Sequence, residues 1–325
     1  MRFHRLTRAK LGHPPAAQDD TRGRRNRWSN VCYSAGMRWD QDHESSDVVD
    51  ERGRSPQGAQ LGGAGILGLL PILLRFRFGW VIVVLVLGFG FLRNFMGSGA
   101  TQRVADTAVT ARGADVPAHF VAFVLDDTQA TWTRIFADSG KTYRKAKLVL
   151  FSDSTQTACG AGDAATGPFY CPSDERVYID LSFYQELANR FGAKGDFAEA
   201  YVVAHEIGHH VQKQLGITAR VDHASRSQQQ GAESSSVRLE LQADCFAGIW
   251  ARSTDQRKLL EAGDVDEALG AASAVGDDRL QRQATGKVNP ETWTHGSAAE
   301  RARWFKKGFD NGTIAACDTF AATSL

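Results

Sequence analysis

Residues 200–216 read AYVVAHEIGHHVQKQLG, placing His205, His209 and His210 within six positions and Glu206 between the first two. On a helix, at about 100° per residue, His205 and His209 lie about 40° apart and one turn above each other, so their rings can share one ion. His210 is turned about 100° from His209 and cannot converge on that ion without unwinding the helix. This H-E-x-x-H order points to His205 and His209 as zinc ligands. Glu206 then stands beside a zinc-activated water as general base, the chemistry of peptide-bond hydrolysis.

A catalytic zinc takes a third protein ligand and keeps one position open. In VRLELQADCFAGIWAR, residues 237–252, Glu240 and Asp244 are one helical turn apart and face the same way. Glu240 is read as the third ligand, and Asp244 as the acceptor of a zinc histidine's free ring N–H, which fixes that ring's tautomer. A solvated acidic face is the alternative, weakened by the apolar and small neighbours Leu239, Leu241, Ala243, Phe246 and Ala247. Charge developing on the substrate carbonyl oxygen needs a further donor, and His295 in WTHGSAAER is the candidate, on residue type alone.

The elements that must position these residues are legible in outline. Asp196 and Glu199 form a capping box and Gly216 a stop, giving a histidine helix of about 19 residues with an apolar stripe through Val203, Ile207 and Val211. VPAHFVAFVLDDTQATWTRIFADSG has helical spacing broken at LDDT, where Asp126 or Asp127 can cap a second helix. KLVLFS and RVYIDLSF are β-rich runs, and between them lies a Gly-rich loop that Cys159 and Cys171 can staple. Ser182 and Gln185 suggest a capping box for a helix ending at Gly192. Cys245 and Cys317 are then left to pair with each other, and none of these cysteines has metal-knuckle spacing.

The 325 residues carry a formal net charge of +1 and no phosphate-binding glycine loop, which argues against a nucleic-acid partner. Residues 1–60 read as a disordered, polar and basic segment, with Met37 a candidate true start because the odd Cys32 and the basic leader both precede it. Residues 61–96 read as a membrane segment with an uncharged run from Phe78 to Leu92, flanked by Arg75, Arg77 and Arg93. A buried core helix is the alternative. Residues 97–115 read as a linker and 116–325 as the peptidase domain. Arginine bias puts the N-terminal flank inside and the domain across the membrane, and the four cysteines beyond the run suit an oxidising compartment. The expectation is a single-pass anchor in a bacterial inner membrane with an extracytoplasmic, periplasmic domain.

VVAHEIGHHVQ, RLELQADCFAGIW, ACGAGDAATGPFYCPSDERVYIDLSFY and THGSAAERARWFKKGFDNG together resemble the YpfJ-type neutral zinc metallopeptidases of bacteria. The resemblance runs from Met37 to the C-terminus. It implies an α+β, zincin-like fold, mostly helical with a small sheet, whose edge strand RVYIDL could receive an extended peptide. It carries His205, Glu206, His209 and Glu240 to metal and catalytic roles and implies Zn2+ as cofactor and a peptide or protein substrate. A looser likeness to HtpX and CAAX-processing membrane peptidases extends to Thr294, His295 and Arg301, with Gly296 where those have proline. Two functions follow: a membrane-anchored zinc endopeptidase, or a non-catalytic, membrane-tethered scaffold in which zinc staples two helices. Three converging ligands instead of four favour the first.

Overall fold

The computed structural model describes residues 36–53, 115–222 and 229–325. In chain order these contain β1 (Val48–Asp50), α1 (Val116–Asp138), β2 (Lys147–Phe151), the hairpin β3 (Ser154–Thr157) and β4 (Gly160–Asp163), β5 (Phe169–Cys171) and β6 (Arg176–Asp180). Seven helices follow: α2 (Ser182–Asn189), α3 (Asp196–Gln214), α4 (Ile217–Asp222), α5 (Ser235–Gln256), α6 (Asp264–Ala274), α7 (Asp277–Thr285) and α8 (Ala298–Asn311). The class is helix-rich α+β with small sheets. One sheet has the order β1-β2-β6-β5, parallel except for the last pair, and the β3–β4 hairpin stands apart.

The histidine helix α3 occupies the middle of the molecule. Phe197, Ala200, Val203, Ala204, Ile207 and Val211 on it are fully buried, and they meet α1, α5 and α6 in one core. Phe197 stacks on Trp250 of α5 with ring centroids 5.4 Å apart, and Trp132 of α1 meets Phe246 edge-on at 5.2 Å. Helices α5 and α8 touch backbone to backbone: a Cβ at Gly308 would sit 1.9 Å from the Cys245 carbonyl oxygen, so only glycine permits the approach. The Cys245–Cys317 disulfide closes over the same contact, and Cys159–Cys171 ties the β3–β4 turn to β5, both as the sequence suggests.

Several expectations need correction. Residues 36–53, assigned to a disordered leader, are folded: Met37 is buried, Trp39 meets Phe120 edge-on at 5.0 Å, and β1 pairs in parallel with β2. A three-residue strand flanked by polar residues leaves no periodicity to detect. Helix α1 is continuous, and Asp126 and Asp127 are not caps. Asp126 accepts from Ser45 and pairs with His43, while Asp127 accepts from Trp250 Nε1 and Arg257. The cap of α1 is Asp115. Helix α2 has no side-chain cap, and its Ser182 N–H is met by Asp180. Helix α3 has the expected 19 residues, but its N-terminal Phe197 N–H is met by Glu267 of α6, not by its own side chains. RVYIDL is not an edge: β6 lies between β2 and β5, and the edges are β1 and β5, the latter hidden in the supposed loop. The expected membrane segment 61–96 and most of the linker lie outside the described residues, as do residues 225–228 of the polar loop before α5. Among the described residues, no helix is long and apolar enough to cross a membrane.

Candidate active site

A cleft of about 590 Å³ opens beside the middle of α3. His205, Glu206 and His209 form its floor, Pro168, Phe169 and Tyr170 one wall, and Glu240, His295 and Arg301 the other side. His205 and His209 are one turn apart with ring centroids 4.8 Å apart. Helix α5 crosses α3 so that Glu240 meets both: Oε2 lies 3.2 Å from His205 Nε2, and Oε1 lies 3.4 Å from His209 Nε2. One ligand atom from each of the three lies within 4.8 Å of the others.

The tautomers of both rings are set from behind. His205 Nδ1 is 2.8 Å from Asp244 Oδ1, so this nitrogen donates, and Nε2 is left to offer a lone pair to a cation shared with Glu240. His209 Nδ1 is 2.9 Å from Gln212 Oε1, and the Gln212 amide donates in turn to the Leu239 carbonyl, again leaving Nε2 for the cleft. Asp244 is fully buried yet well partnered: Arg301 Nε donates to Oδ2 at 2.8 Å, Arg301 Nη2 to Oδ1 at 3.0 Å, and Tyr201 Oη to Oδ1. Burial alone would raise this carboxyl, but Arg301 and His205 hold it below its usual range. Burial pushes Glu206 above its usual range, against the pull of His209 and His205.

Two nitrogens and a carboxylate fit zinc. Tetrahedral ligands about 2.0–2.1 Å from zinc are about 3.3–3.4 Å from each other, close to the separations of His205 from Glu240 Oε2 and of His209 from Glu240 Oε1, and all three residues line the cleft. His210 points away, as its position on the helix predicts. It is fully buried, with Nε2 2.7 Å from the Arg144 carbonyl and Nδ1 2.9 Å from Tyr170 Oη.

His295 borders the same cleft with a half-exposed side chain. Its Nδ1 lies 2.9 Å from Thr294 Oγ1 and 3.3 Å from Asp277 Oδ1, and Nε2 has no hydrogen-bond partner among the described residues. The bond from Asp277, opposed by burial, raises the imidazole above its usual range. Asp277 also accepts the backbone N–H groups of Thr294, His295 and Gly296. Gly296 has φ +87°, which a proline ring forbids, so this turn is not a T-H-P turn with one side chain removed.

Sequence reasoning missed Tyr201, Gln212 and Asp277. The first two had a signal, since Tyr201 lies one turn before His205 and Gln212 three residues after His209 on the same helix. Asp277 had none. Comparison with known proteins agrees with the chemistry. Residues 37–320 match the family described as "Putative neutral zinc metallopeptidase". YpfJ, an uncharacterised protein of Escherichia coli strain K12, is 45% identical over 289 residues, covering 87% of this chain and 99% of that protein. Uncharacterised proteins of Mycobacterium bovis and Mycobacterium tuberculosis are 48% identical over 194 residues, covering 56% of this chain and 65% of theirs. No solved structure matches.

Proposed function

This chain belongs to the neutral zinc metallopeptidase family, whose cofactor is zinc and whose substrates are peptides or proteins, and from that premise we propose a working endopeptidase centred on Glu206. The observation that carries the proposal is the convergence of His205, His209 and Glu240 on one point at the floor of an open cleft, with Glu206 on the same helix turn. Bound there, zinc supplies Lewis acidity toward a carbonyl oxygen and acidifies water at its open position.

The chain's own groups do the rest. Glu206 takes a proton from the attacking water at its carboxylate and passes it to the leaving amine, a shuttle for which its raised proton affinity suits it. Asp244 and Gln212 hold the two imidazoles in the tautomer that offers Nε2. Arg301 keeps Asp244 ionised within the core. His295, anchored through Nδ1, would donate from Nε2 to the oxygen that becomes negative. An extended substrate would lie along β5, the edge strand that borders the cleft.

We further propose, from the sequence of residues 61–96 and the paired cysteines, that the domain is tethered to a bacterial inner membrane and works on its extracytoplasmic side. The scaffold alternative would need a closed site, yet among the described residues this cluster supplies three ligands. The test is Glu206→Gln. Zinc content should stay at about one per chain, because the residue is not a ligand, while turnover of a diverse peptide library falls by about 10²–10⁴-fold. Wild-type protein carrying zinc but cleaving nothing would favour the scaffold, and undiminished cleavage by the variant would refute the mechanism.

A further inference from the structure

The third histidine of the motif has no place in the proposed metal chemistry, but its hydrogen bond to Tyr170 leads to the cleft wall. Tyr170 sits in the middle of β5 and lines the cleft. Its hydroxyl is 2.9 Å from His210 Nδ1, and the two rings meet edge-on at 5.4 Å. His210 Nε2 is 2.7 Å from the Arg144 carbonyl, in the loop that leads into β2, and 2.8 Å from Gln214 Nε2, whose amide donates to the same carbonyl and accepts the Arg144 N–H. With Nε2 donating to the Arg144 carbonyl, Nδ1 accepts and the Tyr170 hydroxyl donates to it. A single buried imidazole thus fixes the loop before β2 and the strand β5 to the helix that carries the metal ligands.

Strand β5 needs such a fastening. It has three residues between Pro168 and Pro172, neither of which can donate a backbone hydrogen bond, and it pairs with β6 through only Phe169–Tyr178, Tyr170–Val177 and Cys171–Arg176. Its disulfide ties it to the β3–β4 turn, away from α3. Lys213 reaches the Pro172 carbonyl just past the strand, but that side chain is partly exposed. Among the described residues, the side-chain hydrogen bond between α3 and β5 is the one from Tyr170 to the fully buried His210.

We propose that His210 is a positioning residue: through Tyr170 it sets the height of the β5 wall above the zinc ligands, and so the register of an extended peptide along that wall. The proposal rests on the peptidase reading above. It explains why the histidine one position past the second ligand is fully buried while its neighbour faces the cleft.

Tyr170→Phe tests it, because the ring is kept and only the hydroxyl is removed; His210→Phe is the companion variant. Both should retain about one zinc per chain, since neither residue is within the ligand set. Amide hydrogen exchange in residues 169–171 should accelerate by about tenfold in zinc-loaded full-length protein, with the middle of α3 unchanged. Peptides long enough to run along β5 should lose kcat/KM through KM, about tenfold more than blocked dipeptides lose. Unchanged exchange in β5, or equal losses on long and short substrates, would overturn the proposal. So would loss of zinc with intact β5 protection. Absence of any wild-type turnover counts against the peptidase reading alone, because the exchange measurement still decides this one.

Discussion

At the scale of single residues, the candidate site separates groups placed to hold a metal from groups that hold those groups. Asp244 belongs to the second kind and is fully buried, so its two partners have different roles. Asp244→Asn keeps an acceptor for His205 but removes the charge, and should weaken zinc affinity by about 10- to 100-fold, read by competition with a chelator. Arg301→Leu leaves a carboxylate buried beside His205 with its cation gone, and should cost about 3–5 kcal/mol of stability in denaturant unfolding. If both variants lost zinc equally and neither lost stability, Arg301 would not be the counter-ion of Asp244. The sequence pointed to His205 and His209 as candidate ligands because helix geometry alone sets them one turn apart, and to Glu240 and Asp244 because these share one side of another helix. It did not disclose Asp277, which lies eighteen positions from His295 and reaches it through a turn at Gly296.

At the scale of elements, the start of α3 carries a charge problem. Asp196 and Glu199 on its first turn, and Asp264 and Glu267 of α6, all bind their protons more tightly than usual; beyond burial, Asp264 raises Asp196 and Glu267, and Asp196 and Glu267 raise Glu199. Burial is the leading cause, pushing Asp196 up to about 6 and Glu199 up to about 7. A carboxyl that binds its proton more tightly when folded stabilises the fold below its unfolded pKa, and that contribution fades as pH rises through the folded value. Relative to wild type, Glu199→Gln should therefore gain thermal stability as pH rises from about 5 to about 8. A melting-temperature difference independent of pH would show that Glu199 is not held protonated. Sequence alone named these two acids as a cap. In the fold Glu267 takes the Phe197 N–H, a partner 70 positions away that no local pattern specifies. Long elements such as α3 and α5 were legible by period, whereas β1 and β5, three residues each, depend on neighbours for their existence.

At the scale of the whole molecule, the pairing of β1 with β2 has a consequence for membrane sidedness. The chain leaves the described fold after Gly53 and re-enters it at Asp115, and Arg52 forms an ion pair with Asp115, so the exit and entry points adjoin. Everything proposed for residues 61–96 happens between those two points. A single crossing, the expectation from sequence, would put Met37 and β1 on one face of a bilayer and the zinc ligands on the other, which breaks the Val48–Leu148 register and empties the place of Met37 in the core. For β1 to pair with β2, the folded residues on either side of 54–114 must share one compartment. Ser46→Cys and Lys287→Cys, both at exposed positions, should react alike with a membrane-impermeant thiol reagent in intact spheroplasts. Labelling of one and not the other would show that β1 has no partner in β2 in the cell. The short strand that sequence reading passed over thereby acts as a ruler for topology: wherever the zinc ligands face, the residues from Met37 to Gly53 face too.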